Sequence, residues 1–278
     1  MYLTKKQIES IVKKSGQPKA SILLHQIFNS YRTYLDSSDV RELYDRDYFD
    51  GIRVHPVYEL VDNRYKIHIY NRYSYEYLVR KEGRGSVLDI GCGDGHFLLA
   101  LAFQGFKCIG IDSSKDLIRE AQINAIGNKL KVDFFCGDGC HLSLKSLFDY
   151  VVLNDVIEHL SDRELQKMFV KIKELLKPGG ELIIHTPNGL ALCNETDYSF
   201  IQALFKYYLR AFRHFGGFER TIRQMYYDQV HINIKSYKQS KRLLARAGFR
   251  CKVMYDEHNK SILRTILSSN MLIVARRK

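Results

Sequence analysis

The sequence predicts an α/β fold: a doubly wound, mostly parallel sheet of seven strands with a helical N-terminal extension and a helical insertion. Three observations predict it. Strand-like apolar runs alternate with helix-like segments from about residue 86 to 186, the rhythm of parallel strands joined by right-handed crossovers. The first run, Val87-Leu88-Asp89-Ile90, enters a glycine-rich turn, Gly91-Cys92-Gly93-Asp94-Gly95, just before an apolar helix start. Finally, Asp112, Asp138 and Asn154-Asp155 close the next runs, so polar groups collect at the carboxyl ends of the strands, where open α/β sheets bind ligands.

Taken in order, Thr4-x-x-Gln7 reads as a capping box, followed by Ile8, Ile11 and Val12 at helical spacing. Ser15-Gly16-Gln17-Pro18 breaks that helix. A second follows with Ile22, Leu23, Ile27, Tyr31 and Tyr34 on one side. Residues 1–60 are expected to form the helical extension and 61–278 the main domain. A further helix is expected over about 61–81. Strands are expected at 86–90, 107–111, 131–135, 149–154 and 181–186, with helices at 95–104, 115–126 and 162–176. Lys177-Pro178-Gly179-Gly180 reads as a turn before the fifth strand. The insertion covers about 190–230. Ser236 then caps a helix that stops at Gly248, and 249–255 and 270–275 supply the last two strands.

Composition bounds the function. The 278 residues are 45% hydrophobic, enough for a packed core. No run of about 18 apolar residues predicts a membrane span. The first residues lack the apolar core of a signal peptide, so a cytoplasmic location is expected. The six cysteines show no second ligand pair at zinc-knuckle spacing and read as reduced thiols. A net charge of +12 suits anionic partners such as phosphates, lipid headgroups or RNA. Because no long Lys/Arg block appears, a basic surface serving solubility explains the charge equally well.

The glycine turn, placed between a buried strand and a helix, is a nucleotide-binding turn. Its spacing is G-x-G-x-G, with Asp89 ahead of it, rather than the G-x-G-x-x-G that suits a pyrophosphate. Asp112, with Ser113 beside it, can accept two hydrogen bonds from a ribose diol. In Gly137-Asp138-Gly139 the carboxylate can accept from an exocyclic amine. Asn154 and Asp155 close the fourth strand. Together these residues resemble the motifs of class I S-adenosylmethionine-dependent methyltransferases over about 85–190.

That resemblance implies the sheet order 3-2-1-4-5-7-6 and S-adenosyl-L-methionine as cofactor. It implies that Gly91, Gly93 and Gly95 shape the loop around the methionine part, Asp112 binds the ribose, and Asp138, with Gly139, binds the adenine. Asp89 would support the loop and the cofactor's amino group, and Asn154 would lie beside the methionine moiety.

Asn154-Asp155-Val156-Ile157-Glu158-His159 resembles the Glu-x-x-Glu-His pattern of two groups, the ubiquinone-pathway O-methyltransferases and the small-RNA 3′-end 2′-O-methyltransferases. In those groups carboxylates and histidine bind a divalent metal. The resemblance therefore offers Asp155, Glu158 and His159 as ligands for magnesium, manganese or zinc. A hydroxyl acceptor needs its proton removed, and His159 and His231 are the base candidates. His185, inside a strand, reads as structural. In the insertion, Ile201, Phe205, Tyr208, Phe212 and Phe215 repeat at helical spacing. Arg210 and Arg213 lie on a neighbouring stripe that reads as solvated charge on a core-packed helix, as a clamp for an anionic acceptor, or as a peripheral membrane contact. The expected reaction is methylation, at oxygen, of a small-molecule or lipid- or phosphate-linked acceptor. The alternatives are an RNA 2′-O-methyltransferase and a non-catalytic cofactor-binding protein of the same fold.

Overall fold

The computed structural model describes residues 10–11, 13–14, 58–61, 65–68, 71–188, 233–254 and 270–278. Arg210, Arg213, His231 and most of the N-terminal extension lie outside the described residues. The chain divides into two compact units. One takes Pro56–Glu158, Asp162–Leu192 and Ile234–Lys278 and holds every described strand. The other takes Met1–His55, His159–Ser161 and Cys193–Asn233. Within the latter, Asn233 Nδ2 donates to the Leu160 carbonyl at 2.7 Å.

The larger unit opens with an antiparallel hairpin, β1 (Tyr58–Val61) and β2 (Tyr65–His68), followed by α1 (Arg72–Val79). This corrects the single helix expected over 61–81. The stretch Tyr58-Glu-Leu-Val and Tyr65-Lys-Ile-His is rich in aromatic and branched residues, which suit a strand better than a helix. Ile67 is fully buried in the main core cluster.

The main sheet follows: β3 (Ser86–Ile90), α2 (His96–Phe103), β4 (Lys107–Asp112), α3 (Lys115–Gly127), β5 (Val132–Cys136), β6 (Phe148–Asn154), α4 (Asp162–Leu175), β7 (Leu176–Pro187), α5 (Tyr237–Arg246), β8 (Phe249–Met254) and β9 (Asn270–Arg277). The strands lie in the order β5-β4-β3-β6-β7-β9-β8. Counted within this sheet alone, that is 3-2-1-4-5-7-6. Strands β3 to β7 pair in parallel, and β9 runs antiparallel to both β7 and β8.

Local chemistry explains the elements. Helix α2 is buried on nearly every side, at Phe97, Leu98, Leu99, Ala100 and Leu101, so its sequence carries no polar stripe. Helix α4 buries Leu165, Met168, Phe169 and Ile172 on one face. It places Asp162 and Glu164 in its first turn and Lys173 in its last, in the sense the helix dipole favours. Ser236 and Gln239 form a reciprocal capping box at the start of α5. The Lys177–Gly180 segment is not a turn ahead of the strand. It lies inside β7, where the pairing shifts register between Phe148 and Tyr150 of β6. Proline and glycine are tolerated at such a bulge. No described helix is long and apolar enough to cross a membrane.

Candidate functional site

The carboxyl tips of β3, β4, β5 and β6 carry the predicted acids. The turn after β3 is locked onto β4, because the Ile111 carbonyl accepts from both Gly91 N (2.7 Å) and Cys92 N (3.1 Å). The three turn glycines have different duties. A Cβ on Gly91 would meet Val156 Cγ2 at 2.5 Å. One on Gly95, at φ +80°, would meet Phe134 Cζ at 2.6 Å and Ala121 Cβ at 2.9 Å. One on Gly93, at φ +56°, would meet nothing within 4 Å. The outer two glycines therefore permit close packing, while Gly93 faces open space. Its backbone must still adopt a left-handed conformation that side chains disfavour.

Asp112 binds the turn directly. Its Oδ2 accepts from Gly93 N at 2.9 Å and its Oδ1 from Ser114 N at 2.8 Å. Ser114 caps α3 and accepts from Leu117 N. Each Asp112 oxygen keeps a second lone-pair direction, which a diol can use. Burial pushes this carboxyl upward, against the pull of the Ser114 and Gly93 amides. Ser113 beside it is exposed. The next loop is tied to the same strand end, Gly137 N donating to the Asp112 carbonyl at 2.9 Å. In that loop Asp138 Oδ1 accepts from Cys140 N at 2.8 Å, and Oδ2 faces His141 Nδ1 at 3.2 Å. A Cβ on Gly139 would meet Ile90 Cγ2 at 2.5 Å, so that glycine serves packing between the two tips.

Asp89 and Asn154 occupy the adjacent strands β3 and β6. Asp89 is 2% exposed and Asn154 9%. Asn154 Oδ1 accepts from Ser74 Oγ of α1 at 2.6 Å. Among the described residues, Asp89 Oδ1 and Asn154 Nδ2 have no hydrogen-bond partner. Burial, reinforced by the Asp112 charge, pushes Asp89 up to about 8. A buried acceptor and a buried donor on neighbouring strands suit a ligand carrying both an ammonium and a carboxylate, as an amino-acid moiety does.

The turn after β6 departs from the metal-site expectation. Asp155 adopts φ +52°, its amide donates to the His185 carbonyl at 2.9 Å, and its Oδ1 pairs with His185 Nδ1 at 2.8 Å. Glu158 is fully buried, with Oε2 accepting from Thr186 Oγ1 at 2.9 Å. Burial, and then the Asp155 charge, push the Glu158 carboxyl upward. His159 ends the short 3₁₀ turn Ile157–His159 and belongs to the other compact unit. Among the described residues no group of three or more His, Cys, Asp or Glu is arranged to hold a metal ion. Asp155 Oδ1 is held by His185 and Glu158 Oε2 by Thr186, while Glu158 Oε1 has no hydrogen-bond partner among the described residues, and this arrangement lends no support to the metal set that the resemblance offered.

Sequence reasoning missed several neighbours of these tips. Ser74 bonds Asn154 across 80 residues of chain, and no local pattern signals that. Tyr73 stacks on His185, with centroids 6.0 Å apart and planes at 8°. His185 was read as structural, and it is fully buried in β7 while gripping Asp155. Burial lowers the pKa of His68, on the misread hairpin, and the Asp155 charge opposes that lowering.

Residues 62–252, more than half of the chain, match the family described as a methyltransferase domain. The ubiquinone biosynthesis O-methyltransferase of Rickettsia prowazekii is 32% identical over 129 residues, covering 44% of this chain and 50% of that protein. The protein of the same name from Pelagibacter ubique is 36% identical over 103 residues, covering 37% and 42%. The chain spans about half the length of the curated relatives it matches. The solved CcbJ methyltransferase of Streptomyces caelestis superposes with a TM-score of 0.59 at 15% identity, over 84% of this chain and 99% of that one. The magnesium protoporphyrin IX methyltransferase of Synechocystis PCC 6803, solved with bound SAH, gives 0.56 at 19% identity, over 88% and 100%. At those identities the likeness is one of fold.

Proposed function

The chain belongs to the methyltransferase-domain family, and on that premise we propose that it transfers a methyl group from S-adenosyl-L-methionine to oxygen of a small-molecule or lipid- or phosphate-linked acceptor. The observation that carries the reading is the pair of buried, unpartnered polar atoms, Asp89 Oδ1 and Asn154 Nδ2, beside the glycine turn. They match the amino and carboxylate ends of a methionine moiety. Asp112 holds the turn through Gly93 and keeps lone pairs for a ribose diol, and Asp138 lies on the next loop for the adenine. When bound, the cofactor supplies a methyl on a sulfonium, already activated for in-line displacement. The protein's task is then to align the acceptor, exclude water and accept a proton. The similarity to ubiquinone biosynthesis O-methyltransferases supports oxygen as the methylated atom, and the net charge of +12 supports an anionic acceptor.

The test is a labelled-methyl transfer screen across phenols, sugars, lipid-linked glycans and short RNAs, run with and without EDTA. Transfer to a hydroxylated small molecule or lipid, unaffected by EDTA, is expected. Transfer confined to RNA, or abolished by EDTA, contradicts the proposal.

A further inference from the structure

The chain's positive charge is not spread evenly. Residues 233–254 and 270–278, which supply α5, β8 and β9, carry ten Lys and Arg and no Asp or Glu. We propose that this face binds the phosphate backbone of single-stranded nucleic acid, at the β8 edge of the sheet and apart from the methyl-transfer pocket. The inference goes beyond the methyltransferase reading and does not rest on it.

Local sequence builds the face. Helix α5 buries Ser240, Leu243 and Leu244. That leaves Lys238, Lys241, Arg242 and Arg246 exposed on its outer side, at helical spacings of three and four. The stripe is about 12 Å long, at about 1.5 Å per residue. It ends at the Gly248 turn, where other elements add cations. Lys278 N donates to the Gly248 carbonyl at 2.9 Å. A Cβ on Gly248 would run into Lys173 Nζ of α4. Beyond the turn, β8 is the outermost strand of the sheet and exposes Arg250 and Lys252. Arg250 lies directly opposite Arg276 of β9.

Ion pairing leaves most of this charge unanswered. Lys235 pairs with Asp162 at 2.6 Å, and Arg276 donates to Glu181 at 2.8 Å. Lys238, Lys241, Arg242, Arg246, Arg250 and Lys252 form no ion pair among the described residues. On the neighbouring α4, Glu174 is held by Lys171 at 3.0 Å. Like charges directly opposite across a strand pair repel, and Glu181 is already taken by Arg276 and Lys81. The Arg250–Arg276 pair therefore lacks a shared anion, which a polyanion supplies.

The makeup of the face favours nucleic acid over a lipid surface. An interfacial membrane face combines its cations with apolar side chains that insert. The exposed large apolar residues among those described lie on α2, α3, β5, α4 and at Leu147 before β6, and none lies on α5, β8 or β9. Half of the ten cations are Arg, whose planar fork suits phosphate oxygens. A stripe that runs down a helix and on to the next strand fits a row of phosphates, and a flexible single strand can follow it around the Gly248 turn.

The test is fluorescence anisotropy of the full chain with a labelled oligouridylate of about 20 nucleotides, from about 50 to 300 mM salt. Contact with about four to six phosphates predicts that log affinity falls with log salt at a slope of about 3–4. The triple variant Lys238→Glu, Arg242→Glu, Arg246→Glu is expected to bind about 10²-fold more weakly at the lowest salt, with the slope reduced by about 2. The same three positions changed to Gln should lose about tenfold, and they carry the test if the Glu triple does not fold. A control triple, Lys107→Glu, Arg119→Glu, Lys131→Glu, removes equal charge from exposed positions on β4, α3 and just before β5. It is expected to lose less than about threefold. Calorimetric affinity for S-adenosylhomocysteine should stay within about twofold in every variant, and a loss parallel to that for the oligonucleotide overturns the separation from the pocket. No oligonucleotide binding by the wild type at the lowest salt, or a control triple as weak as the α5 triple, overturns the proposal. Vesicles of phosphatidylglycerol and phosphatidylcholine that bind the wild type more tightly per phosphate than the oligonucleotide does overturn the choice of partner.

Discussion

The two ends of the parallel strands treat acidic residues in opposite ways. At the amino ends each carboxylate is fully compensated. Glu181 accepts from Tyr77 Oη at 2.9 Å and Arg276 Nε at 2.8 Å and pairs with Lys81 at 2.9 Å. Asp149 accepts from Ser86 N, Ser86 Oγ and Lys177 Nζ at 2.7–2.8 Å. Although burial opposes it, these partners hold both acids below their ordinary values. At the carboxyl ends Asp89 and Glu158 are buried and each keeps an oxygen with no partner among the described residues, Asp112 is half-buried and accepts from two backbone amides, and burial pushes all three upward. One end is a clamp that ties α1, β3, β6, β7 and β9 together. The other is left electrostatically incomplete, as a surface awaiting a cationic and hydrogen-bonding ligand must be.

If that contrast is right, substitutions at the two ends separate stability from binding. The largest effect is expected at Gly95, whose positive φ and crowding by Phe134 and Ala121 make Gly95→Ala cost about 2–5 kcal/mol of folding stability. Gly93→Ala meets no atom and carries only the backbone strain, about 1–2 kcal/mol, but its new methyl enters the space assigned to the cofactor. Denaturant melts paired with cofactor titration separate the two, and equal behaviour would erase the distinction among the turn glycines. Next, Glu181→Gln should cost about 1–3 kcal/mol, discounted because Arg276 is 65% exposed, with cofactor affinity unchanged. Because the Glu181 pKa is lowered, the stability it contributes is present above its ordinary value of 4.5 and lost as pH falls below it. An acid titration of the melting temperature checks this.

Asp112→Ala should show the reverse pattern. It weakens S-adenosylmethionine binding by about 1–3 kcal/mol, since both the diol acceptors and the Gly93 anchor disappear. The smallest effect is expected at Asp89. Between its ordinary value of 3.8 and about 8, the folded state holds a proton that the unfolded state has released, so stability of the ligand-free chain falls as pH rises through that window. Asp89→Asn removes this slope and raises the melting temperature at pH 8 relative to the wild type, while weakening cofactor binding. A destabilised Asp89→Asn would mean that the carboxyl is satisfied rather than waiting.

The sheet and the acids at its strand tips were legible because their signals are local. Val87–Gly95 carries strand, acid and turn in one run, and Asp112, Asp138 and Asn154 each close an apolar strand. The hairpin at 58–68 was read as helix because its strands are only four residues each, too short for a period of two to stand out from one of 3.6. The Asp155–Glu158 turn was misjudged for another reason. The resemblance takes Asp155, Glu158 and His159 as one set, but Asp155 sits in a left-handed conformation ahead of the short 3₁₀ turn and its Oδ1 pairs with His185. Contacts such as Ser74 with Asn154 depend on tertiary packing alone and leave no mark on the sequence.

The central claim is that the carboxyl tips form a pocket for S-adenosylmethionine. Isothermal calorimetry of the full-length wild type, Glu181→Gln and Asp112→Ala tests it most directly. Wild type and Glu181→Gln should bind S-adenosylmethionine one to one with equal affinity, and Asp112→Ala about 10–100-fold more weakly. Folded wild-type protein that gives no binding heat across a range of temperatures, or an Asp112→Ala variant that binds as the wild type does, would contradict it.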